Sequence, residues 1–344
     1  MAGTFKFTFG PWNIHEGADP FGPAVRNSVA FARKLEIYKS LGFEGVQLHD
    51  DDAVPDMNDL RPQQVIARAG ELKKVLDGSG LVAEFVAPRL WEDPRTIDGG
   101  YTSNDPECRN YALERSKRAI DIANALGTDL LVLWFAREGT YIREAKDSLL
   151  ATDRLVQAID QMLAYDPSIR VCVEPKPNEP MDHNYIPTTG HALALAQLCS
   201  DPDRVGVNIE SAHAVLAGLD PSDEMGFALA FGKLWTVHLN DQNGLKYDQD
   251  KAFGSVDLRR AFNQVRILDL HGYGSRGEFI GLDVKAMRTQ RDETATKHLR
   301  NSREVFLRLL DLSRSLDDAF IQRCRQERDY EELDWYIVKA LLGG

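Results

Sequence analysis

Apolar and β-branched residues gather along the chain in short runs, each followed by a polar loop and a longer stretch in which apolar positions recur at spacings of three and four. The short runs are Phe5–Gly10, Phe43–Leu48, Val82–Val86, Asp129–Trp134, Arg170–Glu174, Arg204–Ile209, Leu234–Leu239 and Glu278–Asp283. Runs of this length predict buried strands, while the spacing within Arg61–Asp77, Cys108–Leu126, Ile142–Tyr165 and Thr294–Leu316 predicts amphipathic helices that each bury one stripe. Strand and helix in strict alternation predict a parallel sheet, because a parallel neighbour is reached only through a crossover. Eight such units favour an α/β fold of the closed (β/α)8 TIM barrel type over an open sheet.

No repeat beyond this rhythm, no low-complexity segment and no Gly/Ser linker interrupts the chain. One catalytic barrel is therefore expected over residues 1–316. Residues 317–344, with a charged stretch at Arg323–Glu332 and an apolar cluster at Trp335–Leu342, predict a short C-terminal helical tail packing on the barrel or on a neighbouring subunit.

Composition narrows the class without deciding it. The 344 residues are 43% hydrophobic and 27% charged, values of an ordinary globular protein with a large core. A formal net charge of −12 opposes a nucleic-acid partner, since phosphate backbones are bound by Lys and Arg. Cys108, Cys172, Cys199 and Cys324 show no CxxC spacing and are expected to be reduced and structural. The opening MAGTFKFTFG lacks a basic segment leading into an apolar core, and no apolar stretch approaches a membrane span, so a cytoplasmic protein without membrane association is expected.

In a TIM barrel the active site lies at the C-terminal ends of the strands, so polar residues there are the informative ones. The second run leads into His49-Asp50-Asp51-Asp52, and the fifth ends in Glu174, followed by Pro175-Lys176-Pro177-Asn178-Glu179-Pro180. The sixth leads into Glu210 and His213, the seventh carries His238 with Asp248 and Asp250 beyond it, and the eighth ends at Asp283. A single carboxylate at a strand end is as often an N-cap for the next helix. Glu174, Glu210, His238 and Asp283, however, close four consecutive strands and would converge without long reach. Oxygen donors with a single imidazole suit Mg2+, Mn2+ or Co2+ better than structural zinc. His213, Asp248 and Asp250 imply a second cation, with Glu210 bridging the two; the plainer reading of the Asp248-Gln249-Asp250 loop is a solvated acidic turn. Lys176, between two prolines, is placed as a fixed cation near the bound metal and a substrate oxygen.

At HDDD (His49–Asp52), EPKPNEP (Glu174–Pro180), the Glu210/His213 pair and KYDQD (Lys246–Asp250) the sequence resembles the shorter, actinobacterial-type xylose isomerases. GPWNI (Gly10–Ile14), ADPFG (Ala18–Gly22), DGGYTSND (Asp98–Asp105), LVLWFAREG (Leu131–Gly139), PTTGHA (Pro187–Ala192) and FGSVDL (Phe253–Leu258) follow in the family's order. The resemblance implies an aldose–ketose isomerase, homotetrameric or dimeric, that opens a cyclic sugar and shifts a hydride between C1 and C2 with two divalent cations. It implies that His49, oriented by Asp52, assists ring opening and that Lys176 polarises O1. One cation would take Glu174, Glu210, His238 and Asp283; the other would take Glu210, His213, Asp248 and Asp250. Trp12, Trp91 and Trp134 would wall the substrate pocket, and Phe21 would be lent to a neighbouring subunit. Trp91 is equally readable as plain core.

The sequence departs from that family at identifiable places. His238 stands where xylose isomerases carry an aspartate ligand, as in the similar rhamnose isomerases; a gapped alignment would make Asp241 the ligand instead. Alternation along Leu234–Leu239 puts Thr236, His238 and Asn240 on one face, which favours His238. Arg89 replaces a neutral polar residue near the pocket, and the tail is shorter than the family's C-terminal arm.

Overall fold

Every one of the eight apolar runs forms a strand, and three of the strands run one residue further. In the computed structural model, which describes residues 5–245 and 247–343, these are β1 (Lys6–Phe9), β2 (Gly45–His49), β3 (Val82–Ala87), β4 (Leu130–Trp134), β5 (Arg170–Glu174), β6 (Val205–Glu210), β7 (Leu234–Leu239) and β8 (Phe279–Leu282). All pair in parallel and close into a barrel in the order β1-β8-β7-β6-β5-β4-β3-β2. This is a TIM barrel.

The longer helices that follow the strands are α1 (Phe31–Ser40), α2 (Pro62–Ser79), α3 (Pro106–Leu126), α4 (Ser148–Tyr165), α5 (Thr189–Leu198), α6 (Pro221–Ala230), α7 (Leu258–Leu270) and α8 (Lys297–Ser315), with short turns of helix at Asp50–Ala53 and Ser211–Leu216. Proline opens α2, α3 and α6, where its missing N–H costs nothing. Asp105, Asp147, Asp220 and Asp257 accept from backbone N–H groups at the starts of α3, α4, α6 and α7. The helix expected from Ile142 begins only at Ser148, because Asp147 caps it. The preceding residues instead follow a two-strand ribbon that pairs Gly139–Thr140 with His183–Asn184.

Strand alternation divides the apolar residues between two cores. Outward positions such as Val171, Val173, Val237 and Leu239 join the helices in the main core, whereas Phe85, Ala87, Leu130, Val132 and Cys172 form a small cluster of their own. All four cysteines are free and buried.

Two further helices, α9 (Asp318–Glu327) and α10 (Tyr330–Leu341), form the C-terminal tail. Ile321, Cys324 and Ile337 are its buried residues, and Arg259 and Arg266 of α7 pair with Asp334 and Asp318. No helix among the described residues is long and apolar enough to cross a membrane.

Candidate metal centre

Parallel register sets the site. Trp134 pairs with Glu174, Val173 with Val207 and Glu210 with His238, so Glu174 stands level with the end of β4 and beside Asn208, while Glu210 stands two residues further along β6, with β7 alongside. Glu210 is the hub. It belongs to three groups of donor atoms, each lying within 4.8 Å of one another: with Glu174 and His213, with His238 and Asp283, and with Asp248 and Asp250. His213 Nε2 lies 3.3 Å from Glu210 Oε1 and 3.0 Å from Asp248 Oδ2. His238 Nδ1 lies 3.5 Å from Glu174 Oε2, 3.7 Å from Glu210 Oε2 and 3.9 Å from Asp283 Oδ2. The residues singled out in the sequence over more than a hundred positions thus meet at one end of the barrel.

The gapped alternative loses its candidate. Both oxygens of Asp241 are engaged elsewhere, one with Arg260 and Gln242 N and the other with Val256 N and Asp257 N.

Electrostatics are unbalanced at this point. The carboxylates of Glu174, Glu210, Asp248, Asp250 and Asp283 face the ammonium groups of Lys176 and Lys285 in one cavity of about 610 Å3. Lys176 Nζ reaches Asp248 at 3.1 Å and Glu179 at 3.3 Å, and Lys285 pairs with Asp250. Burial and the neighbouring Asp248 charge push the Asp250 acid up to about 8. Burial also raises Glu210 well above the carboxylate range, His213 opposing. Burial would raise Glu174 too, but His238 and His213 hold it down to about 2. Asp248 is held well below its usual value, against burial, by Lys176 and His213. Burial lowers both imidazoles, yet Glu174 raises His238 and Glu210 raises His213.

Cations fit these donors. Acidic side chains outnumber ammonium groups, and among the described residues Asp248 Oδ1 and His213 Nδ1 are buried without a hydrogen-bond partner, which costs free energy unless something else satisfies them. Asp250 also has a φ of 45°, a left-handed conformation that side chains avoid outside constrained sites.

The other expected residues lie on the walls. His49, at the end of β2, approaches Asp52 Oδ2 through Nδ1 at 2.9 Å. Trp12 packs on the His49 ring at 4.3 Å and donates its indole N–H to Asp283 at 2.9 Å. Gly10 permits this fold-back, since a Cβ there would stand 2.2 Å from the Trp12 ring. Trp91 meets His49 at 5.1 Å and Trp134 at 4.6 Å, and both line the cavity, so Trp91 is wall and not plain core. Lys176 lies 4.9 Å from the Trp134 ring. Phe21 is 84% exposed, beside Tyr247 at the mouth, and lines no part of its own chain's cavity. Lys246, which opens the KYDQD motif, lies outside the described residues.

Sequence reading passed over Asn240, which donates to Glu210 and Asp250, and Lys285. The available signal was position: Asn240 follows His238 by two and Lys285 follows Asp283 by two, spacings that keep one face in an extended chain.

Comparison with known proteins shows the family. The family model described as "Xylose isomerase-like TIM barrel" matches residues 35–321. A xylose isomerase of Thermus thermophilus is 36% identical over 307 residues, which cover 88% of this chain and 78% of that protein. Among solved structures, D-psicose 3-epimerase from Clostridium cellulolyticum H10, crystallised with D-tagatose, superposes with a TM-score of 0.62 at 16% identity, covering 90% of this chain and 98% of that one. The IOLI protein with a zinc atom superposes at 0.64 and 14% identity, covering 90% of this chain and all of that one. At such identities the structural likeness concerns the fold alone.

Proposed function

We propose a function from one premise: the chain belongs to the xylose isomerase-like TIM barrel family. On that premise the protein is a sugar-transforming enzyme, an aldose–ketose isomerase that shifts a hydride between C1 and C2 of an opened sugar. The observation that carries this reading is the position of Glu210 within three overlapping donor groups, which suits one carboxylate shared by two divalent cations.

Glu174, Glu210, His238 and Asp283 would hold one cation, and Glu210, His213, Asp248 and Asp250 the other; Mn2+, Co2+ or Mg2+ suits oxygen-rich sets of this kind. When bound, these ions would grip sugar oxygens and polarise the C1–C2 unit. The chain's own groups do the rest. His49, braced by Asp52, would serve ring opening, and Lys176 would steady O1 as negative charge develops there. Its ammonium is suited to that task because burial, which disfavours its charge, is overcome by Asp248 and Glu179. Trp12, Trp91 and Trp134 would keep water from the reacting carbons.

The reading extends to a homotetramer or dimer in which Phe21 leans over a neighbour's pocket. Its support is the exposure of that ring at the end of a segment whose Gly17, Ala18, Asp19 and Pro20 line the cavity mouth. Sedimentation of the purified protein tests it, and a monomer at all concentrations would remove it.

Turnover of an aldose panel with Mn2+, Co2+ and Mg2+ in deuterated water tests the reaction. Ketose formed with little solvent deuterium at C1 is expected. Full exchange at C3 of a ketose would replace isomerisation by epimerisation.

A further inference from the structure

On the side of His238 away from the carboxylates lies a second row of polar groups that this reaction does not use. Gln47 on β2, Glu84 on β3 and Thr236 on β7 are all buried, and they meet across the interior of the barrel. Gln47 Oε1 lies 3.1 Å from His238 Nε2, and Gln47 Nε2 donates to Glu84 Oε2 at 3.0 Å. Thr236 Oγ1 donates to the other Glu84 oxygen at 2.8 Å. The row therefore runs from a buried carboxylate, through one amide, to the back of the imidazole.

The chemistry of each partner fixes where the ring proton sits. A carboxamide oxygen only accepts, so the nitrogen facing it, Nε2, carries the proton. A carboxamide nitrogen only donates, and Asn208 Nδ2, which also donates to Glu174 Oε2 at 2.7 Å, lies 3.1 Å from Nδ1, so that nitrogen bears the lone pair, which a bound cation would take over from Asn208. Both neighbours select the same tautomer, and its lone pair lies on the side of Glu174, Glu210 and Asp283. Space for the row is provided by Gly281 on β8. A Cβ there would stand 2.6 Å from Gln47 Nε2, 3.1 Å from His238 Cδ2 and 2.4 Å from Val237 O.

We infer that Gln47 and Glu84 are positioning residues that hold His238 as an Nδ1 ligand for a divalent cation at the Glu174–Glu210–Asp283 corner. The inference rests on reading the cluster as a metal centre. A ligating imidazole is oriented, and made a better donor, by an acceptor on its other nitrogen, and loss of such an acceptor typically weakens metal binding about 10–100-fold. Filling the barrel interior alone would need neither the amide orientation nor a buried carboxylate, because apolar side chains pack such a layer more cheaply.

The test is calorimetric titration of the metal-free protein with Mn2+, comparing wild type, Gln47→Leu, His238→Asp and the double variant. Gln47→Leu should weaken the affected site by about 10–100-fold in the wild-type background. In the His238→Asp background the same change should alter affinity by less than about threefold, because a carboxylate has no tautomer to select. Equal weakening in both backgrounds, or none in the first, overturns the relay. Failure of the wild type to take up Mn2+ would instead overturn the metal-centre reading itself. Glu84→Gln, nearly isosteric, carries the same two-background comparison if Gln47→Leu does not fold, as thermal unfolding would reveal.

Discussion

Nη2 of Arg89 lies 2.7 Å from Nδ1 of His49, the nitrogen that Asp52 Oδ2 approaches at 2.9 Å. A guanidinium only donates and a carboxylate only accepts, so Nδ1 can serve one of them at a time, and accepting from Arg89 puts the ring proton on Nε2. A carboxylate acting alone would choose the opposite tautomer, leaving Nε2 free to take a proton. Arg89 thereby selects between a His49 that donates and one that accepts. It is itself held by Asp51 at 2.8 Å and by Asp52 and Glu92 at 3.3 Å.

Replacing Arg89 by Asn should return the Nδ1 proton to the Asp52 contact and free Nε2 as an acceptor for a sugar hydroxyl. Because a positioned base contributes about 10²–10⁴-fold, kcat/KM for an unsubstituted aldose such as D-xylose should rise by about tenfold or more. The ion pairs lost are partly exposed and together should cost on the order of 1 kcal/mol of stability. Steady-state kinetics on the aldose panel decides the matter; a fall for every sugar would mean that Arg89 grips substrate directly.

Lys176→Met should remove turnover while sparing the rest of the site. The ammonium lies 3.1 Å from Asp248 and 4.9 Å from the Trp134 ring, in a position to meet charge on a substrate oxygen. Loss of one such preorganised group typically costs about 10²–10³ in kcat. Mn2+ uptake by calorimetry should persist, and near-normal kcat in this variant would end the proposed role.

Arg115 supports the mouth of the barrel from beneath. Its guanidinium, 4% exposed at the side chain, forks onto the fully buried Asp50 at 2.6 and 2.8 Å. Asp50 in turn accepts from Arg89 N at 3.1 Å and follows His49 directly. Breaking such a pair from one side leaves a buried charge uncompensated, so Arg115→Met should lose about 3–5 kcal/mol in denaturant unfolding. A loss below about 1 kcal/mol would show that Asp50 finds water or another partner.

The barrel was legible because strand runs and helix stripes differ in period, and Glu174, Glu210, His238 and Asp283 because each sits at or within one residue of a strand end. Asp248, Asp250 and His213 were found through family motifs as much as through spacing. Gln47, Glu84 and Arg89's grip on His49 were not legible as a network. Gln47 and Glu84 lie inside strands, where alternation says only that a side chain faces inward, and their partner His238 is about 150–190 positions away. Which inward groups touch depends on strand order and stagger around the closed barrel, and a one-residue slip would turn every one of them outward. The late start of α4 has a more local cause, since Asp147 offers its cap five residues past the start that periodicity suggested.

Proton release should accompany metal uptake, and its pH dependence follows from the site's own shifts. Without a cation, burial and Asp248 hold the Asp250 acid at about 8, far above its value in an unfolded chain, so at neutral pH it stays protonated. His213 and His238 are likewise raised by neighbouring carboxylates, against burial. A group raised in the folded state stabilises that state at low pH, and this stabilisation is lost as pH climbs through the folded value; for Asp250 the loss centres near 8. Ligation requires bare carboxylate and neutral imidazole, so the cation displaces these protons. Mn2+ affinity should therefore rise from pH 6 to 8, by about tenfold per unit for each proton displaced, and flatten above that. Calorimetry at pH 7 in two buffers of different ionisation enthalpy counts the protons directly. At least one per chain is expected, and Asp250→Asn should lower the count; zero release in the wild type would mean that Asp250 and the histidines are not ligands.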